Sequence, residues 1–190
     1  MTAAAGIGGR LSWKALWQVS GLGTSFEAVF DDLYTNVFCG EDAWELLPNT
    51  ATSLESLRSW CSANDCQLGV MSNMDSRLST ILQSLGILDK FDFVLTSYEA
   101  RADKPSPVIF KKALEKAGLP PSSHALHCGD SFKRDVAGAI FMNWTAVLVD
   151  GRVDEVKPLE PTEDCNFSVH GDVLAMRVPH IGHIEGLLAG

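Results

Sequence analysis

The spacing of apolar residues changes at Gln67, and that change divides the chain. Upstream, Leu11, Trp13, Leu16, Trp17 and Val19 fit one side of a short helix ended by Gly21 and Gly23. Ser25 stands in an N-cap position ahead of Phe26, Val29, Phe30, Leu33, Val37 and Phe38, a spacing that predicts a second helix. Two apolar-striped helices in tandem predict a helical hairpin that needs a surface to cover its tryptophans. A third helix is predicted over Asn49–Asn64, with Leu54, Leu57 and Trp60 inward.

From Gln67 onward, short apolar runs alternate with helical periods. The runs Gln67–Ser72, Phe91–Thr96, Ala125–Cys128 and Thr145–Val149 read as strands. Between them lie helices over about Ser76–Leu85, Pro107–Ala117 and Arg134–Met142. Ser106 caps the second of these with proline at its first position, and Gly118 stops it. Strands alternating with helices predict an α/β fold, a parallel sheet with helices on both faces and ligands at the strands' carboxyl ends. After Asp150 the chain reads as a returning tail with short apolar fragments at Phe167–Val169 and Ile181–Leu188 and one late helix. Met1–Gly9 is small and Gly-rich, and is expected to be loose.

Composition narrows the partners. The chain has 190 residues, 46% hydrophobic and 21% charged, enough to bury a core in one globular domain with a small accessory lobe. A formal net charge of -9 repels phosphodiester backbones, and no local basic patch offsets it, so no nucleic-acid partner is expected. No apolar run approaches the roughly 20 residues of a membrane span. Five cysteines without a tight repeat read as buried apolar residues in a reducing compartment, which points to an intracellular, cytoplasmic protein. The first acidic residue is Glu27, with Arg10 and Lys14 before it, so a mitochondrial presequence is the other reading of that segment.

The candidate chemistry gathers at the predicted strand ends. Asp130 follows the strand of Ala125–Cys128 and Asp135 comes one helical turn later, a carboxylate pair suited to a hard cation such as Mg²⁺. Acids at a helix start also serve to complement its dipole. Ser72 ends an apolar strand beside Asn73, so its hydroxyl and nearby backbone N–H groups would face a ligand, although a serine there also reads as a turn or cap residue. Lys104 precedes Pro105, which keeps it out of the next helix and free to meet an anion. Zinc could be imagined at His124, His127 and Cys128 or at His180 and His183, but neither set has a second ligand pair.

Together the spellings V-M-S-N, D-K-P-S-P and G-D-S-F-K-R-D, in that order and each at a strand end, resemble the second, third and fourth motifs of the haloacid dehalogenase (HAD) superfamily. The resemblance covers about Thr50 to Gly151. It implies a HAD-like Rossmannoid core and a Mg²⁺-dependent, phosphatase-type hydrolase acting on a small phosphorylated molecule. Ser72, Asn73 and Lys104 would hold the phosphoryl group, with Ser72 and Lys104 as catalytic positions. Asp130 would ligate Mg²⁺ and Asp135 would support that site.

The same resemblance implies a first motif, Asp-x-Asp at the end of an opening strand, whose first carboxylate attacks the substrate and whose second acts as acid and base. No Asp-x-Asp occurs in these 190 residues. Asp31 and Asp32 lie within a helical period and lack the two-residue offset. The expectation is therefore an N-terminally truncated HAD-like chain with little or no activity: a loose start at 1–9, part of a helical cap at 10–48, and at 49–190 a core lacking its first central strand. The alternatives are a non-catalytic phosphate- or partner-binding protein, and an enzyme that uses an acid elsewhere, for instance Asp75.

Overall fold

The computed structural model describes residues 25–40, 42–159 and 175–188. The helix expected over 11–19, the loose start at 1–9 and the fragment at 167–169 lie outside the described residues. Helix α1 (Phe26–Thr35) starts where expected, with the Ser25 hydroxyl accepting from the Ala28 N–H at 3.2 Å. It stops before Val37 and Phe38, which fall in a 3₁₀ turn and are about half exposed rather than inward. Helix α2 (Thr50–Ala63) buries Leu54 and Leu57 as expected, but Cys61 takes the inward place and Trp60 stays partly exposed.

The α/β alternation follows in order: β1 (Gly69–Ser72), α3 (Leu78–Ser84), β2 (Phe93–Thr96), the single turn α4 (Ser97–Ala100), α5 (Pro107–Lys116) and β3 (Leu126–Gly129). A π-helical turn at Phe132–Val136 leads into α6 (Ala137–Phe141), then β4 (Thr145–Val149), β5 (Lys157–Pro158), β6 (Ala175–Val178) and α7 (Ile184–Leu188). The region after Asp150 is more than a tail. β6 pairs in parallel with β4, Ala146 opposite Ala175 and Val149 opposite Val178, and β5 pairs antiparallel with β6.

Pleating sends alternate β4 side chains to opposite faces. Ala146 and Leu148 join Phe110, Ile109, Val136 and Trp144 under α5 and α6, whereas Val147 joins Leu57, Val178 and Ile184 under α2 and α7. Helices thus cover both faces, as expected of a doubly wound sheet. Phe110 has no exposed surface, and its burial stabilises by about 1.5–3 kcal/mol.

Strand order bears most on the site. β1 pairs only with β2, in parallel with Ser72 opposite Thr96, and a separate sheet runs β3-β4-β6-β5. Among the described residues no strand lies between β1 and β3. All four residues of β3 are half-buried and Gly69 of β1 is exposed, whereas Ala146, Val147 and Leu148 of β4 are buried.

Candidate functional site

Ser72, Asn73, Lys104, Asp130, Arg134 and Asp135 line one cavity of about 130 Å³. Ser72, Asn73, Lys104, Asp130 and Asp135, the positions expected to hold a phosphoryl group or Mg²⁺, are all in that lining. Ser72 and Asn73 arrive at the end of β1, Asp130 follows β3, and Lys104 comes from the loop ahead of α5. The cavity therefore sits at the strands' carboxyl ends, on both banks of the division between the two sheets.

Asn73 fixes the loop. Its side-chain amide donates to the Lys104 carbonyl at 3.0 Å and its amide oxygen accepts from the Lys104 N–H at 2.7 Å. With both ends committed, Asn73 positions Lys104. The Lys104 ammonium in turn donates to the Met71 carbonyl at 2.8 Å and meets Asp135 Oδ1 at 2.7 Å. Two of its three N–H donors are used, one on each bank.

Asp135 is buried, with both carboxylate oxygens engaged. Oδ1 takes Lys104 and His127 Nε2 at 3.0 Å, and Oδ2 accepts from the Ser131 N–H at 3.0 Å. Burial opposes its charge, but hydrogen bonds from His127 and Lys104 and the Lys104 charge outweigh that and hold the carboxyl well below the usual range. An ionised carboxylate only accepts, so His127 Nε2 carries the proton. Burial pushes the His127 pKa down against the pull of Asp135. The ring stands edge-on to Phe110 with centroids 5.4 Å apart.

Local backbone makes this possible. Ser131 O accepts from both the Asp135 N–H at 2.8 Å and the Val136 N–H at 3.4 Å, a widened turn that folds Asp135 back beneath the end of β3. Gly129 is required there, because a Cβ on it would overlap the Asp135 carboxylate carbon. Gly138 plays a similar part, since a Cβ would overlap the Phe110 ring and crowd Pro105. α6 can thereby pack against the Lys104–Pro105 loop.

What remains uncommitted is the Ser72 hydroxyl, the Asp130 carboxylate and the Arg134 guanidinium, none of which has a partner among the described residues. A hydroxyl, an acid and a planar cation around one small cavity have the chemistry to receive an anion together with a hydrated cation. No group of three or more His, Cys, Asp or Glu that could hold a metal ion occurs among the described residues. Asp75 does not reach the cavity. Its carboxylate takes the Arg77 N–H at 3.1 Å and the guanidinium Nε and Nη2 at 2.9 Å each, and that guanidinium lies 4.1 Å from the Tyr34 ring centre. The Arg77 hydrogen bonds lower the Asp75 pKa.

His127 and Arg134 were not read from the sequence as part of this site. A histidine inside the apolar run Ala125–Cys128 needs a buried partner, and that is the signal it carried. The larger cleft, about 470 Å³, lies at the strands' amino ends, where Arg58 is tied to Asp92 at 2.6 Å and Lys116 to Glu99 at 2.5 Å. Its cations are already neutralised.

Two mainly parallel sheets flanked by helices, with a serine, a lysine and two aspartates converging at their carboxyl edges, define an α/β protein of the Rossmannoid kind. The chain belongs to the haloacid dehalogenase-like hydrolase family, whose sequence model matches residues 1–142. It is 43% identical over 105 residues to haloacid dehalogenase-like hydrolase domain-containing protein 3 of Danio rerio, covering 55% of this chain and 41% of that protein. It is 37% identical over 120 residues to the Rhythmically expressed gene 2 protein of Drosophila melanogaster, covering 62% and 45%. The matched stretches span about half the length of these curated relatives, or less. Among solved structures, a HAD phosphatase from Thermococcus onnurineus superposes with a TM-score of 0.62 at 24% identity, covering 94% of this chain and 71% of that one. L-2-haloacid dehalogenase from Xanthobacter autotrophicus gives 0.61 at 17% identity, covering 93% and 72%. These structural likenesses show the fold alone. No described helix is long and apolar enough to cross a membrane.

Proposed function

We propose that these residues form the phosphate- and Mg²⁺-holding part of a phosphatase-type hydrolase, and that the 190-residue chain has little turnover of its own. The observation that carries this is the donor inventory of the cavity. The Ser72 hydroxyl and the remaining Lys104 N–H can hold phosphoryl oxygens, and Asn73 fixes the Lys104 backbone. Asp130, exposed and unpaired, is the carboxylate for Mg²⁺, an ion that keeps several waters and needs only one or two carboxylates beside a substrate phosphate. Asp135 supports from beneath, its oxygens held by Lys104, His127 and Ser131. Bound there, Mg²⁺ would neutralise charge on the phosphoryl group.

Among the described residues, the cavity does not hold an attacking carboxylate with an acid beside it. Among the described residues Asp130 and Asp135 are the acids in its lining, one proposed for the metal and the other held by Lys104, His127 and Ser131. Positioning without a nucleophile lowers no covalent barrier. The division between β1 and β3 is where a strand ending in Asp-x-Asp would bring both acids to the cavity. Residues 25–48 are proposed as part of a cap, with Tyr34 against Arg77 and the Cys39 carbonyl accepting from the Ser84 hydroxyl at 2.9 Å as its joints to the core.

Titrating inorganic phosphate with Mg²⁺ present, followed by calorimetry, tests this. Binding is expected in the parent chain and at least about fivefold weaker in Ser72→Ala, a change that disturbs no hydrogen bond of the fold. Equal binding by both chains would place the phosphate elsewhere.

A further inference from the structure

Arg134 stands out from the charged residues of the chain. Arg58 faces Asp92, Arg77 faces Asp75, and Arg152 and Arg177 both face Asp150. The guanidiniums of Arg101 and Arg134 have no acid within ion-pair reach among the described residues, and of the two only Arg134 lines the cavity. Its backbone is fixed, with the Arg134 N–H donating to Ser131 Oγ at 3.3 Å, while its side chain is exposed.

Charge within the lining sharpens the point. Lys104 is matched by Asp135 at 2.7 Å, and Asp130 is the acid proposed for the metal. Among the described residues, Arg134 is therefore the one lining cation not already balanced by an acid of the site. In a chain of net charge -9, an unbalanced guanidinium at a ligand cavity suits an anionic group brought by the ligand. Ser72 and Lys104 account for one phosphoryl group, and Arg134 is a further set of donors. Its planar fork fits a carboxylate or a phosphate with two parallel hydrogen bonds, which a lysine cannot reproduce.

We infer that Arg134 selects substrates, binding a second anionic group a few bonds from the phosphoryl group, so that the site prefers small phosphate monoesters that also carry a second anion, a carboxylate or a phosphate. This rests on the phosphate-site reading above. The side chain is a specificity residue and takes no part in breaking the phosphate ester bond.

Phosphonates resist hydrolysis, so they report binding independently of turnover. Calorimetry with Mg²⁺ would compare 3-phosphonopropionate with n-propylphosphonate, which replaces the carboxylate by a methyl group, and with propane-1,3-diphosphonate, which replaces it by a second phosphonate. The parent chain should bind 3-phosphonopropionate at least about tenfold more tightly than n-propylphosphonate. Arg134→Gln should abolish that preference, while Arg134→Lys should restore only part of it. Diphosphonate binding tighter than that of propylphosphonate, and weakened to its level in Arg134→Gln, would support the second-anion site with a phosphate as the group taken. Equal affinity for all three phosphonates, or a preference that survives Arg134→Gln, would overturn the inference while leaving the phosphate site standing. If none of the phosphonates binds, the phosphate-site reading fails and the role of Arg134 falls with it.

Discussion

Lys104 and Asp135 join the two halves of the structure, and a double-mutant cycle measures that joint. Lys104→Met keeps the length of the side chain and removes its charge; Asp135→Asn keeps the shape and removes the other. The side chains are 11% and 5% exposed and 2.7 Å apart, so neither charge can turn to solvent when its partner goes. Removing one member of a buried pair costs about 3–5 kcal/mol, chiefly from the charge left behind. Asp135→Asn belongs at the upper end, because an amide placed where Oδ2 was would aim a donor at the Ser131 N–H. Lys104→Met should cost about 2–3 kcal/mol, since the stranded carboxylate still has His127 and Ser131. The double variant removes both charges and should be less destabilised than the sum by about 1.5–3 kcal/mol. These are large shares of a total stability of about 5–15 kcal/mol, so urea unfolding followed by circular dichroism resolves them, with equal slopes as the check on cooperativity. Additivity within about 0.5 kcal/mol would show that the pair is not coupled.

Three further outcomes follow from the same geometry. Gly129→Ala should destabilise by about 1–3 kcal/mol and weaken phosphate binding, because the new Cβ must push Asp135 out from under β3; unchanged unfolding would contradict the packing there. Mg²⁺ titrated into the parent chain should give weak calorimetric heats that fade in Asp130→Asn, and tight binding untouched by that change would refute the placement of the ion. Hydrogen bonds from Arg152 hold the Asp150 carboxyl down to about 2, a depressed value, so its stabilisation is complete above the unfolded pKa of about 3.9 and is lost as pH falls through about 2. The advantage of the parent over Asp150→Asn in chemical unfolding should therefore shrink between about pH 4 and 2, and a constant difference would contradict it.

Local signals carried the elements that stand on their own chemistry. β4 occupies Thr145–Val149 as read, and Ser106 caps α5 with Pro107 behind it and Gly118 at φ +69° past its end. β6 could not be read that way. Ala175, Met176 and Arg177 favour helices, and what makes the segment a strand is its pairing with β4, a contact distant in sequence. The site divides similarly. Ser72, Lys104, Asp130 and Asp135 were read as motif positions, and the structure brings all four to one cavity. Their division of labour was not legible, because it depends on which hydrogen bonds each side chain has already spent. Asn73 clamps a loop, Asp135 anchors a lysine, and a histidine considered only for zinc turns out to hold that anchor. The split between β1 and β3 follows from the absence of any strand pattern before Gln67 in the described sequence.

Hydrolysis of a generic aryl phosphate by the purified 190-residue chain, with and without Mg²⁺, is the most direct measurement. A cavity that positions phosphate without a free attacking carboxylate should give a rate no higher than that of the Ser72→Ala, Lys104→Ala double variant. Fusing a segment that carries an apolar strand ending in Asp-x-Asp should raise the rate in a Mg²⁺-dependent manner. Mg²⁺-dependent turnover by the unmodified chain, abolished by Asp130→Ala, would contradict it and would mean that these residues already contain a nucleophile.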